Sequence, residues 1–443
     1  MAHGEGPLPG FRDFYPEQLA ERAFVMKAWR TVADRFAFVE FDGPPLEPLE
    51  LYTKKSGDEI VGQLYHFEDK GGRQVALRPE MTPTLARMVA AKANALRKPV
   101  RWFCMPQMFR YERQQRGRLR EHYQVNYDII GEADVTADAE LLAVAIDIMR
   151  EFGLTSNDVR ARVSDRRILS GLLKNQGVGE AQLPGVFAVI DKLERQPKDV
   201  SREKLLGLGV SKDAAEEIIG LAGMRQIVGG ATFLNYKGIE KEAADFQRYI
   251  DRLEDLGVSD WVDVDLTIVR GLAYYTGIVF ELFDAKGELR AIAGGGRYDN
   301  LLGSLGGVEL PACGFAMGDV VVTELLREKG LNVTVHSPDF WVASGSEAEE
   351  SAVARVATDL RRAGASVEYA LRKQQTGKQR KAAQSAGAAY FVTLEEAFSK
   401  SGAVHVEALG DEASSPLMKA LADKPATLES LLAVLRSNPG MLV

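Results

Sequence analysis

The chain has 443 residues, of which 46% are apolar and 27% charged, and its formal net charge is −8. This is the composition of a globular protein, and the length exceeds what one hydrophobic core usually supports, so we expect two or three domains. The acidic balance excludes a uniformly basic binder of nucleic acid, so any contact with a polyanion must come from local basic patches.

No segment has the features of a membrane span or a secretory signal. The apolar runs are shorter than a membrane helix, and the N-terminus lacks a charged region followed by an apolar stretch. Cys104 and Cys313 are far apart and neither belongs to a CxxC pair, so we expect neither a disulfide framework nor a protein-bound structural metal. These features predict a protein of the reducing cytoplasm without a membrane partner.

Periodicity predicts the elements that precede the first charged motif. Apolar residues recur every three to four positions from Leu19 through Trp29 to Phe36, which is typical of an amphipathic helix. Alternating or turn-bounded apolar segments predict strands. The elements so predicted are a helix over 16–36, a strand over 38–41, a hairpin over 64–68 and 74–77, a helix over 83–96 and a strand over 99–105.

Two polar side chains lie where the hairpin gives way to the next helix. The stretch Arg78-Pro-Glu-Met-Thr82 places Glu80 and Thr82 at this junction, a common position for ligand groups. Thr82 precedes Pro83, which favours a helix N-cap with proline at the first helical position. The cap is the favoured interpretation of Thr82, whereas structural and ligand-binding roles both remain open for Glu80.

The densest basic segment of the chain follows the strand over 99–105. Two arms with β-propensity flank a loop over 114–120, in which Gly117 supplies the turn. Arg110 and Glu112 lie in the first arm and share one face. A guanidinium and a carboxylate directed into one groove suit a nucleotide, which offers anionic oxygens and an amine donor. The alternative is a solvated basic loop.

The middle of the chain, over 166–256, is predicted to be a helical insertion between two parts of one sheet. A helix over 137–152 and a strand over 159–163 precede it. The insertion contains polar runs, such as the one that begins at Leu193, but no cluster that indicates catalysis.

The sheet is predicted to resume with a strand that ends at Arg270. Apolar and polar residues alternate from Val262 to Ile268, the period of a half-buried strand, and a second strand begins at Ile278. An arginine at the end of a buried strand needs an anionic partner, because its charge cannot be shed. That partner is either an internal carboxylate or a bound anion, and the segment alone does not decide between them.

The last third of the chain predicts the end of this sheet and a smaller α/β domain. Three glycines before Arg297 allow the backbone to approach another group closely, although a bulged strand uses glycines too. A composition break over 330–338 marks a boundary, after which strands and helices alternate. The predicted elements are strands over 289–293, 311–319, 340–343, 367–370 and 390–393, and helices over 320–329, 347–363 and 376–386.

Basic residues of the smaller domain cluster around one turn between a strand and a helix. Such a run is usually a solvated face, but a local concentration of positive charge on an acidic chain indicates a contact with RNA. The residues are Arg372, Lys373, Lys378, Arg380 and Lys381.

The usual phosphate-binding loops and hydrolase motifs are absent from the sequence. It contains no GxxxxGK[ST], no GxGxxG after a strand, no HExxH and no GxSxG. If the chain binds a nucleotide, arginines and an antiparallel sheet must hold it.

Four motifs, in order, resemble those of the class II aminoacyl-tRNA synthetases, specifically the histidyl-tRNA synthetase family. Arg78-Pro-Glu-Met-Thr82 is similar to the family's RPE-x-T, and Phe109-Arg-Tyr-Glu-Arg113 resembles its motif 2. Arg270-Gly-Leu-Ala-Tyr-Tyr275 resembles the histidine-specific signature RGLDYY, and Ala293-Gly-Gly-Gly-Arg-Tyr-Asp299 resembles a further family stretch.

The resemblance implies an α+β fold: a six-stranded antiparallel sheet flanked by helices, with a helical insertion and a C-terminal α/β anticodon-binding domain. It implies a catalytic domain over 1–330, with the insertion at about 166–256, and an anticodon-binding domain over 337–443. It also implies a homodimer, formed partly through the first helix, strand and proline unit. The substrates would be L-histidine, ATP accompanied by Mg²⁺, and the histidine tRNA, joined through a histidyl-adenylate.

The resemblance further implies roles for individual residues. Arg110 and Arg270 would clamp the α-phosphate of ATP and the carboxylate of histidine, and Glu112 would contact the adenine amine. The remaining residues implied to bind histidine are Glu80, Thr82 and Gln124 at the α-amino group, Asp128 and Tyr275 at the imidazole, and Tyr274 beside them.

Three departures from the family pattern concern this site. The signature's aspartate is Ala273, and the acidic residue on the imidazole side is the shorter Asp128. Motif 3 normally ends in Gly-Leu-Glu-Arg, whose arginine grips the γ-phosphate, but here the arginine's position holds Val321. A branch that includes plant organelle enzymes has a similar Gly-Asp ending, so the change indicates that branch. Arg118 and Arg120 are then the predicted cations for the terminal phosphates of ATP.

Two other functions remain possible for such a sequence. One is a catalytically silent paralogue that regulates histidine biosynthesis, a class that generally lacks the anticodon-binding domain. The other is a tRNA-binding sensor without chemistry, which Val321 favours and the intact Glu80, Arg110, Gln124 and Arg270 disfavour.

Overall fold

The computed structural model describes residues 6–53, 61–221, 226–227, 238–270, 274–331, 333, 335, 337–396, 398–410, 415–438 and 440–441. It divides into two compact units, Met1–Thr334 and Val335–Val443.

The first unit contains a large sheet with helices against it. Its strands are β1 (Val39–Glu40), β2 (Leu46–Pro48), β3 (His66–Glu68), β4 (Gln74–Leu77), β5 (Val100–Cys104), β6 (Gln107–Phe109), β7 (Glu121–Ile130), β8 (Val159–Asp165), β9 (Gln226–Ile227), β10 (Val262–Val264), β11 (Ile278–Asp284), β12 (Ala293–Arg297) and β13 (Ala312–Gly318). Its helices are Pro16–Arg35, Leu49–Thr53, Thr82–Lys92, Thr136–Glu151, Arg166–Asn175, Leu183–Ile190, Lys198–Gly207, Lys212–Gly220, Glu240–Asp255, Leu301–Gly306 and Asp319–Glu328.

The strands of the large sheet follow the order β1-β5-β7-β13-β12-β11-β8-β10-β9, with β6 paired to β7. Each neighbouring pair from β5 to β8 is antiparallel. Parallel pairs extend this part of the sheet at both ends, β1 beside β5 and β10 beside β8. The expected antiparallel sheet flanked by helices is confirmed, and β2, β3 and β4 form a separate small sheet.

Strand β7 shows how the sheet acquires one apolar and one polar face. Val125, Tyr127 and Ile129 belong to the main core, which also contains the helix Thr136–Glu151. Burying such apolar side chains stabilises the fold by roughly 1.5–3 kcal/mol each. Because side chains alternate along a strand, the residues between them must point to the opposite face.

The first helix, Pro16–Arg35, has the predicted extent but a different buried face. Its buried residues begin at Val25 and include Trp29 and Val32. Leu19, the first apolar residue of the predicted periodicity, is 41% exposed. The predicted helix is confirmed, and its first two turns bury none of their residues.

The helical insertion has a small core of its own, to which Leu173, Val186 and Ile218 contribute. Its last helix, Glu240–Asp255, instead packs into the main core through residues that include Phe246. The segment is also not entirely helical, since β9 pairs with β10.

Two predicted strands have different bounds. Strand β10 ends at Val264 rather than near Arg270. The Asp265 carboxylate accepts hydrogen bonds from the Thr267 N–H at 3.0 Å and from the Thr267 hydroxyl at 2.5 Å, and these bonds turn the chain. The strand predicted over 289–293 corresponds to β12, which begins at Ala293 and ends at Arg297. The three glycines therefore lie inside a regular strand. Gly295 is required there, because a Cβ atom would lie 2.3 Å from the Gly314 carbonyl oxygen of the neighbouring strand.

The second unit is a four-stranded sheet with its own core, which includes Phe340 and Val392. The strands β14 (Phe340–Ser344), β15 (Val367–Tyr369), β16 (Tyr390–Leu394) and β17 (Val404–Ala408) have the order β15-β14-β16-β17, and only β17 is antiparallel to its neighbour. Its helices are Val353–Arg362, Thr376–Ser385, Phe398–Ser401, Pro416–Leu421 and Leu428–Ser437. Within the described ranges of both units, no helix is long and apolar enough to cross a membrane.

Candidate active site

A cavity of about 890 Å³ opens on the polar face of the large sheet. Its floor is a row of directly opposed residues on five adjacent strands: Asn126, Ala316, Gly294, Glu281 and Arg162. Small residues in the middle of this row leave room above the sheet, while polar side chains stand at both ends. The sheet therefore provides a floor with acceptors and cations but little bulk.

Arg270 enters the cavity from a strained backbone. Its φ of 56° lies in the left-handed region, which residues other than glycine rarely adopt. This backbone conformation costs on the order of 1 kcal/mol. One guanidinium nitrogen donates to the Glu281 carboxylate at 2.7 Å, while Nε is buried with no hydrogen-bond partner in the described part of the chain. Burial alone would lower the pKa of Arg270, but Tyr275 and Glu281 more than offset it, so the pKa is raised and the guanidinium stays charged.

Arg110 and Glu112 lie together in the cavity wall, but not within a strand. Strand β6 ends at Phe109, so both residues follow it, contrary to the prediction. The Arg110 Nε donates to the Pro79 carbonyl at 2.8 Å, which fixes its guanidinium beside the cavity. Glu112 is ion-paired with Arg118 through one carboxylate oxygen, while the other, Oε1, is buried without a partner in the described ranges. Glu112 can therefore accept a hydrogen bond from a bound molecule.

Four further predicted residues line the same cavity: Glu80, Thr82, Gln124 and Tyr274. The Tyr274 hydroxyl donates to Glu80 at 3.4 Å, and the Gln124 amide donates to Asn126 at 2.9 Å. The helix begins at Thr82 and its N-cap residue is Met81, so the N-cap interpretation of Thr82 was wrong. Its hydroxyl remains at the cavity.

Asp128 is buried and lines the cavity, as does Tyr275. It accepts a hydrogen bond from the Tyr298 hydroxyl, and Gly314 opposite leaves its carboxylate room, because a Cβ there would lie 2.1 Å from Oδ1. Burial raises the pKa of Asp128 to about 7, although the hydrogen bond from Tyr298 opposes the shift. Asp128 can therefore change charge near neutral pH.

The pKa of Asp128 predicts a pH-dependent stability for the free protein. The pKa of Asp128 is about 7 in the folded protein and 3.8 in the unfolded chain, so between these pH values the folded protein binds one more proton than the unfolded chain. The free energy of unfolding therefore falls as pH rises from 3.8 to 7. We expect Asp128→Asn to gain roughly 2 to 3 kcal/mol relative to the wild type between pH 5 and pH 8. Urea unfolding at both pH values measures this, with the exposed Asp13→Asn as control, and parallel profiles for wild type and Asp128→Asn would contradict it.

Arg120 is not among the described residues that line the cavity. Its guanidinium lies 4.1 Å from the Tyr111 ring centroid and donates to the Glu112 and Pro9 carbonyls at 3.3 Å. Arg120 therefore holds the N-terminal segment against the loop, and its contact with the phosphates of ATP remains a prediction. Arg118 does line the cavity.

The contacts of Asp319 explain part of the unusual ending of motif 3. Asp319 accepts a hydrogen bond from the Tyr123 N–H at 2.9 Å and another from Arg12 at 2.9 Å. It thereby ties the N-terminal segment and β7 to the start of the helix Asp319–Glu328. Val321 is buried in the main core. The other departure, at Ala273, lies outside the described residues.

Sequence reasoning missed several lining residues, namely Asn126, Glu281, Tyr298, Arg290 and those of the run Asp191-Lys-Leu-Glu-Arg-Gln196 other than Leu193. Asn126 carried a signal, because it alternates with apolar residues between Gln124 and Asp128 on β7. The polar run of the insertion carried none, since only the fold brings it to the cavity.

The basic cluster of the second unit lies at the predicted turn between β15 and the helix Thr376–Ser385. All five residues are exposed, as is the adjacent Leu371, at 91%. Lys373 is ion-paired with Glu347 and Arg380 with Glu407. The surface thus combines basic side chains with one fully exposed apolar side chain.

Comparison with known proteins identifies the family. A model described as histidyl-tRNA synthetase matches residues 10–319, and one described as anticodon binding domain matches 339–422. Histidine–tRNA ligase of Opitutus terrae is 45% identical over 386 residues, which cover 86% of this chain and 88% of that protein. The chloroplastic/mitochondrial histidine–tRNA ligase of Arabidopsis thaliana is 44% identical over 372 residues, 82% of this chain and 75% of that protein.

Solved structures share the fold. Histidyl-tRNA synthetase from Nostoc sp. PCC 7120 superposes with a TM-score of 0.79 at 24% identity, covering 92% of this chain and 95% of that one. Together with the family models and curated relatives, this confirms the resemblance found in the sequence. The chain belongs to the histidyl-tRNA synthetase family of class II aminoacyl-tRNA synthetases.

Proposed function

We propose that the chain activates L-histidine with ATP in the cavity on its antiparallel sheet and transfers the histidyl group to the histidine tRNA. The convergence of Arg110 and Arg270 with the acceptors Glu80, Glu112 and Asp128 in one cavity carries this proposal. Two cations suit a carboxylate and a phosphate held together, and the acceptors suit the amines and N–H groups of histidine and adenine.

In the activation step, a carboxylate oxygen of histidine forms a bond to the α-phosphorus of ATP. The bond from that phosphorus to the bridging oxygen breaks, and its electron pair leaves with pyrophosphate. Negative charge builds at the α-phosphate, which positioned cations stabilise without a strong base. Arg110 and Arg270 take this role. Glu112 Oε1, which has no partner among the described residues, accepts a hydrogen bond from the adenine amine.

Histidine is recognised by polar groups that a smaller or apolar amino acid would leave unpaired. Glu80, Thr82 and Gln124 bind its α-amino group, with Tyr274 positioning Glu80. Asp128 and Tyr275 engage the imidazole. Because an unpaired buried polar group is costly, such a pocket rejects amino acids without matching donors far better than an apolar one.

ATP is a substrate here, and Mg²⁺ is proposed to arrive bound to its phosphates. Across the described ranges, no group of three or more His, Cys, Asp or Glu side chains is placed to hold a metal ion. The protein's proposed part is to bind the nucleotide through its arginines.

The second unit is proposed to bind the anticodon region of the tRNA at the basic turn. Arg372, Lys378 and Lys381 would contact phosphates, with Lys373 and Arg380 contributing less because each is paired with a carboxylate. The exposed Leu371 offers a surface on which a base can pack.

We also propose a homodimer formed in part through β1, whose Val39 is exposed at the sheet edge, and a cytoplasmic location, which suits the two buried free cysteines.

Histidine-dependent exchange of pyrophosphate into ATP, followed by charging of the histidine tRNA, tests the proposal. Purified protein is expected to perform both reactions. Retained tRNA binding without exchange would instead support a sensor. Failure of exchange and of tRNA binding would leave the regulatory paralogue, which the matched anticodon-binding domain disfavours.

Gly294→Ala is expected to lower the exchange rate by roughly 10²-fold while sparing the fold. A Cβ atom at this position would lie 1.7 Å from a terminal nitrogen of Arg270, and only the guanidinium can move away. Gly277→Ala is the matched control, because its Cβ would meet nothing closer than 3.4 Å. Steady-state exchange and thermal unfolding of both variants give the result, and an active Gly294→Ala would contradict the placement of Arg270.

A further inference from the structure

The terminal phosphates of ATP need a cation that motif 3 does not supply in this chain. Val321 is buried and packs against the loop that carries Gly117, since a Cβ built on that glycine would lie 3.2 Å from Val321 Cγ2. An uncharged side chain therefore occupies the position of the family's γ-phosphate arginine. The need for a cation at these phosphates rests on the proposed function.

Arg290 stands beside the same point of the loop. The Cβ built on Gly117 would lie 3.5 Å from Arg290 Cδ, so Arg290 and Val321 both adjoin one glycine. Arg290 follows β11 and precedes β12, lines the cavity, and donates to the Gln115 side chain at 3.3 Å. Its guanidinium thus reaches the region where the missing arginine would act.

The charges that act on Arg290 come from another guanidinium and from a carboxylate. Arg195, from the insertion, lines the same cavity. Burial and then the charge of Arg195 lower the pKa of Arg290, and Glu281 opposes this. Glu281, however, is already ion-paired with Arg270. The guanidinium groups of Arg195, Arg270 and Arg290 in one cavity suit a polyanion such as a triphosphate.

We propose that Arg290 binds the β- and γ-phosphates of ATP, and the pyrophosphate that leaves, in place of the arginine absent at Val321. Arg195 supports it from the insertion. When the bond between the α-phosphorus and the bridging oxygen breaks, the electron pair passes to pyrophosphate, and Arg290 stabilises the charge that collects there. The polar run of the insertion thereby becomes part of the nucleotide site.

Arg290→Gln is expected to raise the KM for ATP and for pyrophosphate in the exchange reaction by roughly 10- to 100-fold. This is the effect expected from the loss of one charged hydrogen bond. The KM for histidine and the affinity for a non-hydrolysable histidyl-adenylate analogue, which lacks the terminal phosphates, should stay unchanged. Arg290→Lys should recover part of the loss. Arg116→Gln is the matched control, because Arg116 lies on the loop that carries Gly117 but pairs with Glu324 and Glu328.

A second variant separates phosphate binding from loop packing. Adding Val321→Arg to Arg290→Gln should restore part of the affinity for ATP, because it returns a cation to the family's position. Unchanged KM values for ATP and pyrophosphate in Arg290→Gln would overturn the inference, as would an equal loss of affinity for the analogue, which would indicate a structural role. A wild-type protein without exchange activity would overturn the proposed function instead.

Discussion

Replacing Arg270 by alanine is expected to lower the rate of histidine-dependent ATP–pyrophosphate exchange by roughly 10³-fold or more. The residue is held in the left-handed region, its guanidinium lies against Gly294, and its Nε is buried without a partner in the described ranges. These features place a permanent positive charge where charge develops in the reaction. Alanine removes that charge from a site that excludes much of the solvent.

The control variants separate catalysis from folding. Alanine at 270 leaves the Glu281 carboxylate without its cation, so Arg270→Ala combined with Glu281→Gln should keep the thermal stability and still lack activity. Arg270→Lys should recover little, because an ammonium cannot reproduce the planar fork of donors. Exchange kinetics and thermal unfolding decide the matter. An Arg270→Ala enzyme that activates histidine at near the wild-type rate would refute the assignment.

Arg297→Met is expected to reduce the free energy of unfolding of the first unit by about 3–5 kcal/mol. Arg297 is buried and donates to both oxygens of Asp138, at 3.2 and 3.0 Å from Nε. It also donates to the Glu132 carbonyl at 3.0 Å and to Asp299 at 3.1 Å. Its removal leaves a buried carboxylate and a backbone acceptor without their donors. Although its motif resembles a functional one, Arg297 is not among the described residues that line the cavity.

A double-mutant cycle tests this account of Arg297. Burial raises the pKa of Asp138 to about 6 in spite of the nearby guanidinium, so the carboxyl is costly to keep charged without Arg297. Arg297→Met combined with Asp138→Leu should therefore be more stable than Arg297→Met alone. Urea unfolding followed by tryptophan fluorescence reports mainly on the first unit, which holds Trp29, Trp102 and Trp261. Additive effects of the two substitutions would contradict a direct pair.

Local sequence was enough to predict many elements, because their signals are local. The strand β4 and the helices that begin at Pro16 and Thr376 have nearly the predicted bounds, since hydrophobic period and turn residues specify them. The strand expected to reach Arg270 was wrong for a local reason as well. The Asp265 side chain bonds two residues ahead and ends the strand, a competition that alternation does not reveal.

The predicted site residues mostly meet in one cavity, although of these only Gln124 and Asp128 lie within a strand, β7. The motifs around Arg78, Arg110, Asp128 and Arg270 are far apart in sequence but converge on one face of the sheet. Arg120 is not among the described residues that line the cavity, because its contacts with Tyr111 and Pro9 determine where its side chain points. Side-chain direction in a loop depends on neighbours that no short-range pattern encodes.

By itself the sequence determined the family, the acceptors along β7 and the absence of the motif 3 arginine, because these are properties of residue types in order. Only the tertiary structure decided which cations reach the cavity. Arg290 and Arg195 come from a connection and an insertion without a recognisable pattern, and the pairing of distant segments brings both to the cavity. Arg290 also adjoins Gly117, the glycine that Val321 packs against. Electrostatic interactions depend on distance in space, so charge partners are set by the fold rather than by spacing along the chain.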